Sequence, residues 1–524
     1  MPTFDLTTDP WIPVRPKHGG PASPVGLTTL FQRAHEYTDV ELALPPASAG
    51  LWRILAFIAA RLSGLDTCTE WSEWARIRKQ VLHEDGRFDP EEVEDYFQRY
   101  RDRFDLFGDR PWLQDPRLGG SEAQCPKTSG VNKLCWGRPA GNTQVWLRHT
   151  TDLRPIPVPA AEAAHHLLAT LYYGPSGRCT SRTAGDVSAA DTAAGPLRGA
   201  LSFHPLGRTL FESLLLNIPF IDDDEDTLAP WERDELRDPT LPPPVTGLAG
   251  RLVDQFRHAV LLEPSPDGTE VRDATVTWGA RLSPEIRQTW SAPEDPYQIH
   301  IRREDGTPAP MKADATRAVW RDVAAILQDG QHRGQLTRMP RLHRDLRYHL
   351  PSDIRSAMRA RSFGFDQDGQ TRDKQWFTAT TPRILQWLHE SAEDNRQAGR
   401  MLNVIRQATD SAEDAGWRLE RQLTRAWKDS GLGGEVKRGD SAPWTLLGTG
   451  RYWSRAYEVF WKLVGGDTPQ EPGNAFIRLA LEAYTEATDG YRHRPRVAKA
   501  VARNRGALFK NWIAEPDDGA EGAA

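Results

Sequence analysis

Apolar residues recur at helical spacing over several long stretches of the chain. Short alternating stretches lie between them. Leu51, Ile54, Leu55, Ile58 and Leu62 mark one buried face and predict a helix over 49–62. Before it, Trp11-Ile12-Pro13-Val14 reads as a strand, followed by a turn at residues 17–20. A helix is expected from Gly26 to Phe31, with Thr28 or Thr29 as its cap. His165–Tyr173 is expected to be helical and to stop at Gly174-Pro175-Ser176-Gly177. Leu210–Asn217 reads as a buried helix. His258–Leu262 and Gln298–Arg303 read as strands, the second running into a hairpin turn at Glu304-Asp305-Gly306.

Two regions break the pattern. In 117–145, glycines at 119, 120, 130, 137 and 141 interrupt any regular element, and a loop of that size is commonly functional. Residues 178–196 are small and polar. After Thr381-Pro382 the periodicity becomes purely helical. It runs through Ile384, Leu385 and Leu388, then Leu402 and Ile405, then Leu419, Leu423 and Trp427. A Gly-rich break at 431–439 is followed by helical stretches at 450–466 and 473–512. Four amphipathic helices predict an antiparallel bundle. The expected fold class is α+β: a large mixed, mainly helical domain with small β elements over 1–380, then a four-helix bundle over 381–514. Residues 515–524 are acidic and small, and read as a disordered tail.

The length of 524 residues agrees with two or more domains. No apolar run approaches a membrane span. Met1-Pro2-Thr3-Phe4 lacks the basic and apolar regions of a signal peptide, so a cytosolic, membrane-free protein is expected. The net charge of −6 excludes a bulk polycation, which leaves local patches to make any nucleic-acid contact. Arg outnumbers Lys 55 to 11, and the planar guanidinium suits phosphates and base edges. Most of the 19 tryptophans, such as Trp71 with Trp74 and Trp453 with Trp461, recur at helical spacing and read as core.

No catalytic or metal signature emerges. Phosphate-loop and nucleophile-elbow motifs are missing, and Gly431-Leu432-Gly433-Gly434 follows no strand. Cys68, Cys125, Cys135 and Cys179 have no C-x-x-C spacing and read as buried or idle thiols. His165 and His166 are adjacent, so on a helix they point about 100° apart and cannot chelate as an i, i+4 pair would. The acidic run 222–226 lacks the glycine of a calcium loop and reads as a solvated loop. No metal and no cofactor are expected.

The positive signals suit nucleic acid. Phe363 to Arg372 sets a polar, Gly-containing turn between aromatics, with Gln367, Asp368, Gly369 and Gln370 at its tip. Arg302 and Arg303 end a strand beside a Gly turn, where two cations can enter a groove or hold phosphates. Between Tyr491 and Lys510 the chain carries basic residues and no acidic one. Arg492, Arg496, Lys499 and Arg503 share a helix face if the helix runs through Pro495 near its first turn. The loop from Cys125 to Asn142 carries Lys127, Asn132, Lys133 and Arg138 and could order on a partner RNA or protein.

Several segments together resemble one family. They are LTTDPWIPVR from Leu6, VGLTTLFQRAHE, LALPP, RPWLQDP, SGVNKL, AGPLRGALSFHPLGRTLFESLLLNIP, TGLAGRLVDQFRHAVLL and YRHRPRVAKAVARNRGALFKNW. The chain resembles the CasA family, the large subunits of type I-E CRISPR Cascade complexes. The likeness is collinear over nearly the whole chain. It implies a non-enzymatic subunit that recognises the protospacer-adjacent motif in double-stranded DNA through the minor groove. It further implies that the subunit starts strand separation and recruits the Cas helicase–nuclease. The partners implied are target DNA, guide RNA and the Cascade subunits CasB, CasC, CasD and CasE.

By that resemblance a basic finger falls on Arg302 and Arg303, where relatives carry lysines, with Lys312 as a second candidate. A Gln wedge falls within Gln367–Gln370, and a Gly loop on Gly174 and Gly177. Val131, Asn132 and Lys133 resemble the element that docks near the 5′ end of the guide RNA. The competing readings are a metal-dependent hydrolase and a purely architectural subunit that does not sense the motif.

Overall fold

The structure is a computed structural model. It describes residues 2–140, 151–223, 227–369, 372–388, 394–433, 440–466, 471–491 and 493–509. The chain forms two compact units, Met1–Glu390 and Ser391–Ala524, which divide some ten residues past the boundary expected near 380. The expected tail, 515–524, lies outside the described residues.

The first unit is mixed. Its core is organised around the helix Pro45–Ser63, which is buried on nearly every side from Pro46 to Ala60. It packs against a second buried helix, Ala160–Tyr173. The approach is close at Gly50, where a Cβ would strike the ring of Tyr172. Small antiparallel sheets surround these helices. One has the strand order Asp373–Thr380, Arg359–Gln367, Leu201–Leu206, with Gly364 paired to Phe377 on one side and Leu201 on the other. A second contains Glu270–Trp278 between Val158–Pro159 and His258–Pro264. A third carries the hairpin of His300–Arg302 with Pro308–Pro310.

The strand at Ile12–Pro16, the helix at Leu210–Leu216 and the strand at His258–Pro264 follow the hydrophobic pattern. Other expectations need correction. The helix Leu27–Gln32 is capped by Gly26 without a side-chain bond, not by Thr28 or Thr29. Gly26 is fixed there because any Cβ would collide with the Thr7 carbonyl oxygen at 2.5 Å. The polar stretch 178–196 contains a hairpin, Gly177–Ala184 with Val187–Thr192. Exposed polar side chains on both strands hid its alternation. Phe363 and Phe365 belong to a strand rather than a turn, and only the residues beyond Gln367 form the tip. Leu385 and Leu388 sit in a short 3-10 turn of the first unit and do not begin the bundle.

The second unit contains the helices Asp394–Ser430, Pro443–Gly465, Pro472–Thr488 and Pro495–Phe509, packed as a bundle. The helical stretch over 473–512 is divided at Asp489–Tyr491, and Pro495 stands in the first turn of the last helix, as the sequence leads one to expect. The bundle core includes Ile405, Leu419, Leu423, Tyr452, Phe460 and Tyr484, all buried. Among the described residues, no helix is long and apolar enough to cross a membrane.

Candidate nucleic-acid interface

The Ala160–Tyr173 helix ends because its last carbonyls are capped by a loop, not by a left-handed glycine. Gly174 N–H donates to the Thr170 carbonyl at 3.0 Å. A Cβ on Gly174 would come within 2.6 Å of that carbonyl oxygen and of the His258 ring, so only glycine fits. His258 Nε2 contacts the Pro175 carbonyl at 3.0 Å. Burial pulls its pKa down to about 4, so the ring is neutral and donates there. The loop is therefore clamped from behind. At its front, Gly177 has φ +122 and nothing near the position of a Cβ.

Against this loop lies the tip beyond Gln367. Ser176 Oγ donates to the Gly369 carbonyl at 2.5 Å. Asp368 N–H donates to the Arg372 carbonyl at 3.0 Å, and Asp368 Oδ1 accepts from Arg372 N–H at 2.9 Å, which closes the turn. Gly369 is exposed, with open space where a Cβ would stand. Gln367 is buried rather than projecting. Its Nε2 donates to Asp373 Oδ1 at 2.7 Å, and its Oε1 lies 3.4 Å from Gly199 N–H. Gln370 lies outside the described residues.

Arg198 knits the two loops together, and nothing in the sequence singled it out. Its side chain is 2% exposed. Nε donates to the Asp368 carbonyl at 2.9 Å, and Nη1 donates to the Tyr173 carbonyl at 3.0 Å and pairs with Asp373 Oδ1 at 2.8 Å. Burial lowers its pKa, and Asp373 opposes that shift. The one sequence cue is its place between Gly195 and Gly199. Gly195 packs against the Tyr172 carbonyl, bringing the following residues onto the helix end.

Lys312 joins the same edge. It pairs with Ala200 in an isolated bridge, and Ala313 N–H donates to the Gly199 carbonyl at 2.9 Å. Its side chain is exposed. Arg302 and Arg303 are exposed at the neighbouring hairpin, where Arg302 pairs with Pro308. Pro308 is four residues from Lys312, roughly 13 Å of extended chain. Lys312 is thus directly tied to the loops, while the two arginines stand farther along the strand.

The expected docking loop is packed, not loose, over its described part. Val131 and Asn132 are buried in the turn of helix Val131–Leu134, and Asn132 Nδ2 donates to Asp152 Oδ1 at 3.0 Å. Neither presents a free surface. Lys133 is exposed, and its charge disfavours protonation of both His258 and Cys179. Trp136 Nε1 donates to Thr170 Oγ1 at 3.2 Å, and its ring lies 5.7 Å from that of Phe365. Residues 141–150 lie outside the described residues.

In the second unit, Arg496, Lys499 and Arg503 are exposed, while Val497, Ala500, Val501, Asn504 and Leu508 form the buried face. The Arg496 guanidinium packs by Gly431, which ends the first bundle helix with φ +67. Arg492 lies outside the described residues. Among the described residues, no group of three or more His, Cys, Asp or Glu side chains is placed to hold a metal ion, and the four cysteines are free.

Comparison with known proteins narrows the chemistry. The family described as CRISPR-associated protein Cse1 matches residues 5–489. CRISPR-associated protein CasA/Cse1 of Thermus thermophilus is 29% identical over 332 residues, covering 62% of this chain and 60% of that protein. A chain of a solved CRISPR RNA-guided surveillance complex is 47% identical, with a TM-score of 0.86 over 97% of this chain and 100% of that one. Thermobifida fusca Cse1, at 19% identity and a TM-score of 0.75 over 97% and 98% of the two chains, shares the fold. A match that runs from residue 5 to residue 489 leaves little of the chain outside it, and the chain belongs to the CRISPR-associated Cse1 (CasA) family.

Proposed function

We propose that this chain is the large subunit of a type I-E CRISPR RNA-guided surveillance complex. It reads the protospacer-adjacent motif of double-stranded DNA through the minor groove and nucleates strand separation for the guide RNA. It then helps to recruit the Cas helicase–nuclease and makes or breaks no bond itself. One observation carries this reading. Two loops distant in sequence, 174–177 and 367–369, are bonded through Ser176 and Arg198 into one exposed edge, with Lys312 beside it. The 47% identity to a chain of an RNA-guided surveillance complex points to the same partners, which are guide RNA and the other Cascade subunits.

The chemistry fits the task. Minor-groove edges distinguish base pairs poorly, so a glycine backbone and one lysine suffice for tolerant reading. Opening a base step costs a few kcal/mol, which phosphate contacts can offset. Guide pairing then exchanges one duplex for another at little net cost. Gln367 is engaged with Asp373, so its entry into the stack breaks a hydrogen bond to a charged group worth about 1.5–3 kcal/mol. The tip is thus held back until duplex contacts outweigh that bond. The basic face of Arg496, Lys499 and Arg503 suits strand phosphates.

The test is a gel shift on the assembled complex at fixed salt, with motif and mutated-motif duplexes. Replacing Gln367 and Gln370 together by Ala should weaken motif-dependent binding and leave binding to mutated-motif DNA unchanged. Unaltered discrimination would remove the wedge from this segment. Equal shifts on both duplexes with the unaltered chain would make the subunit architectural.

A further inference from the structure

The first unit holds a second concentration of charge that motif reading does not use. A pocket of about 130 Å³ lies between residues 103–117, the loop 230–237 and the start of the His258–Pro264 strand. Its lining includes the apolar Pro111, Trp231 and Phe256. Its walls carry Arg103, Arg110, Arg117, Arg233 and Arg237 against only Asp115, Glu235 and Asp254.

Those carboxylates are already divided. Asp254 pairs with Arg233 at 2.5 Å and with Arg237 at 3.2 Å. Asp115 pairs with Arg117 at 2.8 Å and with Arg182, whose side chain is fully buried, at 2.5 Å. Glu235 is exposed. Arg103 pairs with Asp102, which is itself mostly in solvent. Arg110 has no ion pair among the described residues and donates to the Asp234 carbonyl.

The guanidinium groups are also held in place. Arg103 donates to the Arg233 carbonyl at 3.2 Å and Arg117 to the Arg237 carbonyl at 3.0 Å, so with Arg110 three of them are fastened to one loop. Each has five N–H donors, far more than these acceptors can use. Burial lowers the pKa of Arg110, and neighbouring Arg103 lowers it further. Burial likewise lowers Arg237, where Asp254 opposes the shift and Arg233 adds to it. Arg257, stacked on Trp290 at 4.3 Å, is pulled to about 10 by burial, with Arg237 repelling it. Leu113, a non-glycine residue at φ +55, lines the same pocket, and such backbone gathers at ligand sites.

We propose that this pocket binds a phosphate-type oxyanion, supplied either as inorganic phosphate or as the terminal phosphate of a nucleic-acid strand. Forked guanidinium donors match two phosphate oxygens at once. A water occupies about 30 Å³ in the liquid, so the cavity has room for a tetrahedral ion and its last waters. His258 lines the pocket and also holds the 174–177 loop, but among the described residues none of the pocket's arginines bonds to that loop or to the 367–369 tip, so their substitution tests the pocket apart from motif reading.

The test uses the full chain with sodium phosphate and sodium chloride at matched ionic strength and pH, read by phosphorus NMR line width and thermal unfolding. Phosphate should broaden its line and raise the unfolding temperature. Arg110→Gln should bind about tenfold or more weakly, as loss of a charge-assisted hydrogen bond implies. Arg272→Gln, on a residue outside the pocket, should bind like the parent. A short 5′-phosphorylated oligonucleotide that displaces phosphate, where its 5′-hydroxyl twin does not, identifies a strand end as the source. Displacement by neither identifies the free ion. No phosphate effect over chloride, or equal affinity in a folded Arg110→Gln, overturns the proposal. If Arg110→Gln does not fold, Glu235→Lys at the exposed wall should tighten phosphate binding several-fold, and unchanged affinity there overturns it as well.

Discussion

Ser176 Oγ is bonded to the Gly369 carbonyl at 2.5 Å, across 193 residues of sequence. The bond links a loop fixed from behind by His258 to a turn whose tip faces open space. The position of one loop therefore sets the position of the other. Ser176→Ala removes this link without touching the core and leaves the Arg198 bonds in place. We expect a stability loss of no more than about 1 kcal/mol, the net worth of a partly exposed hydrogen bond. Motif discrimination by the assembled complex should fall clearly. Urea unfolding and the gel shift measure the two effects separately; a stability loss with full discrimination would show that the Ser176 bond does not position the tip.

Arg198 acts on the same tip from within. Arg198→Gln leaves the Tyr173 and Asp368 carbonyls and the Asp373 carboxylate without their cation. The expected cost is about 1–3 kcal/mol, because hydrogen bonds to a charged group are lost from a buried site. Hydrogen exchange should report it locally. The Asp368 amide, bonded to the Arg372 carbonyl, should exchange faster, while amides paired between Ser362 and Phe203 keep their protection.

Much of this architecture is legible in the chain, and the exceptions have physical causes. Helices whose apolar residues recur at three- and four-residue intervals, such as Pro45–Ser63 and Asp394–Ser430, declare themselves by spacing. The stop at Gly174 and the hairpin turn near Gly306 follow from residue type. The polar character of the 367–370 tip is also legible, but the burial of Gln367 is not, because its partners Asp373 and Gly199 are set by strand register and by a distant loop. Val131 and Asn132 look exposed in a glycine-rich stretch, yet tertiary packing buries both. Arg198 escapes notice because its role is made by carbonyls, which leave no mark in the sequence. The arginine pocket is likewise assembled from segments more than a hundred residues apart.

Buried titratable groups give the first unit a two-sided pH dependence. Burial holds His258 and His343 neutral with pKa values near 4, below the ordinary value of about 6.5. The unfolded chain binds their protons first, so this stability is present above about pH 6.5 and is lost as pH falls through about 4. Asp345 has the opposite sign. Burial raises its pKa to about 7, so the folded form keeps a proton that the unfolded chain releases near pH 4. Its contribution is full below that value and is lost as pH rises through about 7. Asp345→Asn keeps an acceptor for the Phe220 amide and cannot ionise. Relative to the parent it should gain roughly 3 kcal/mol between about pH 5 and pH 7, at 1.4 kcal/mol per unit. Urea unfolding across that range checks the slope, and parallel pH profiles would contradict the assignment.

The basic face of the last bundle helix has an electrostatic signature. Each phosphate contact on duplex DNA contributes about 0.9 to the slope of log affinity against log salt. Replacing Lys499 and Arg503 by Gln, both exposed and away from the buried face, should lower the slope of the assembled complex by up to about 2, uniformly across sequences. Binding of duplexes with and without the motif between about 50 and 200 mM salt measures it. An unchanged slope would make this face a solvated surface with no strand upon it.

Site-specific photocrosslinking can show whether the Ser176–Gly369 edge meets the flanking DNA. A crosslinking side chain at Gly369, where space is open, and another at Lys312 would be carried in the reconstituted complex loaded with target duplex. Covalent adducts are expected from both positions to the base pairs flanking the guide-paired segment, lost when the motif is mutated. Adducts only to protein, or to DNA far from that flank, would contradict that expectation.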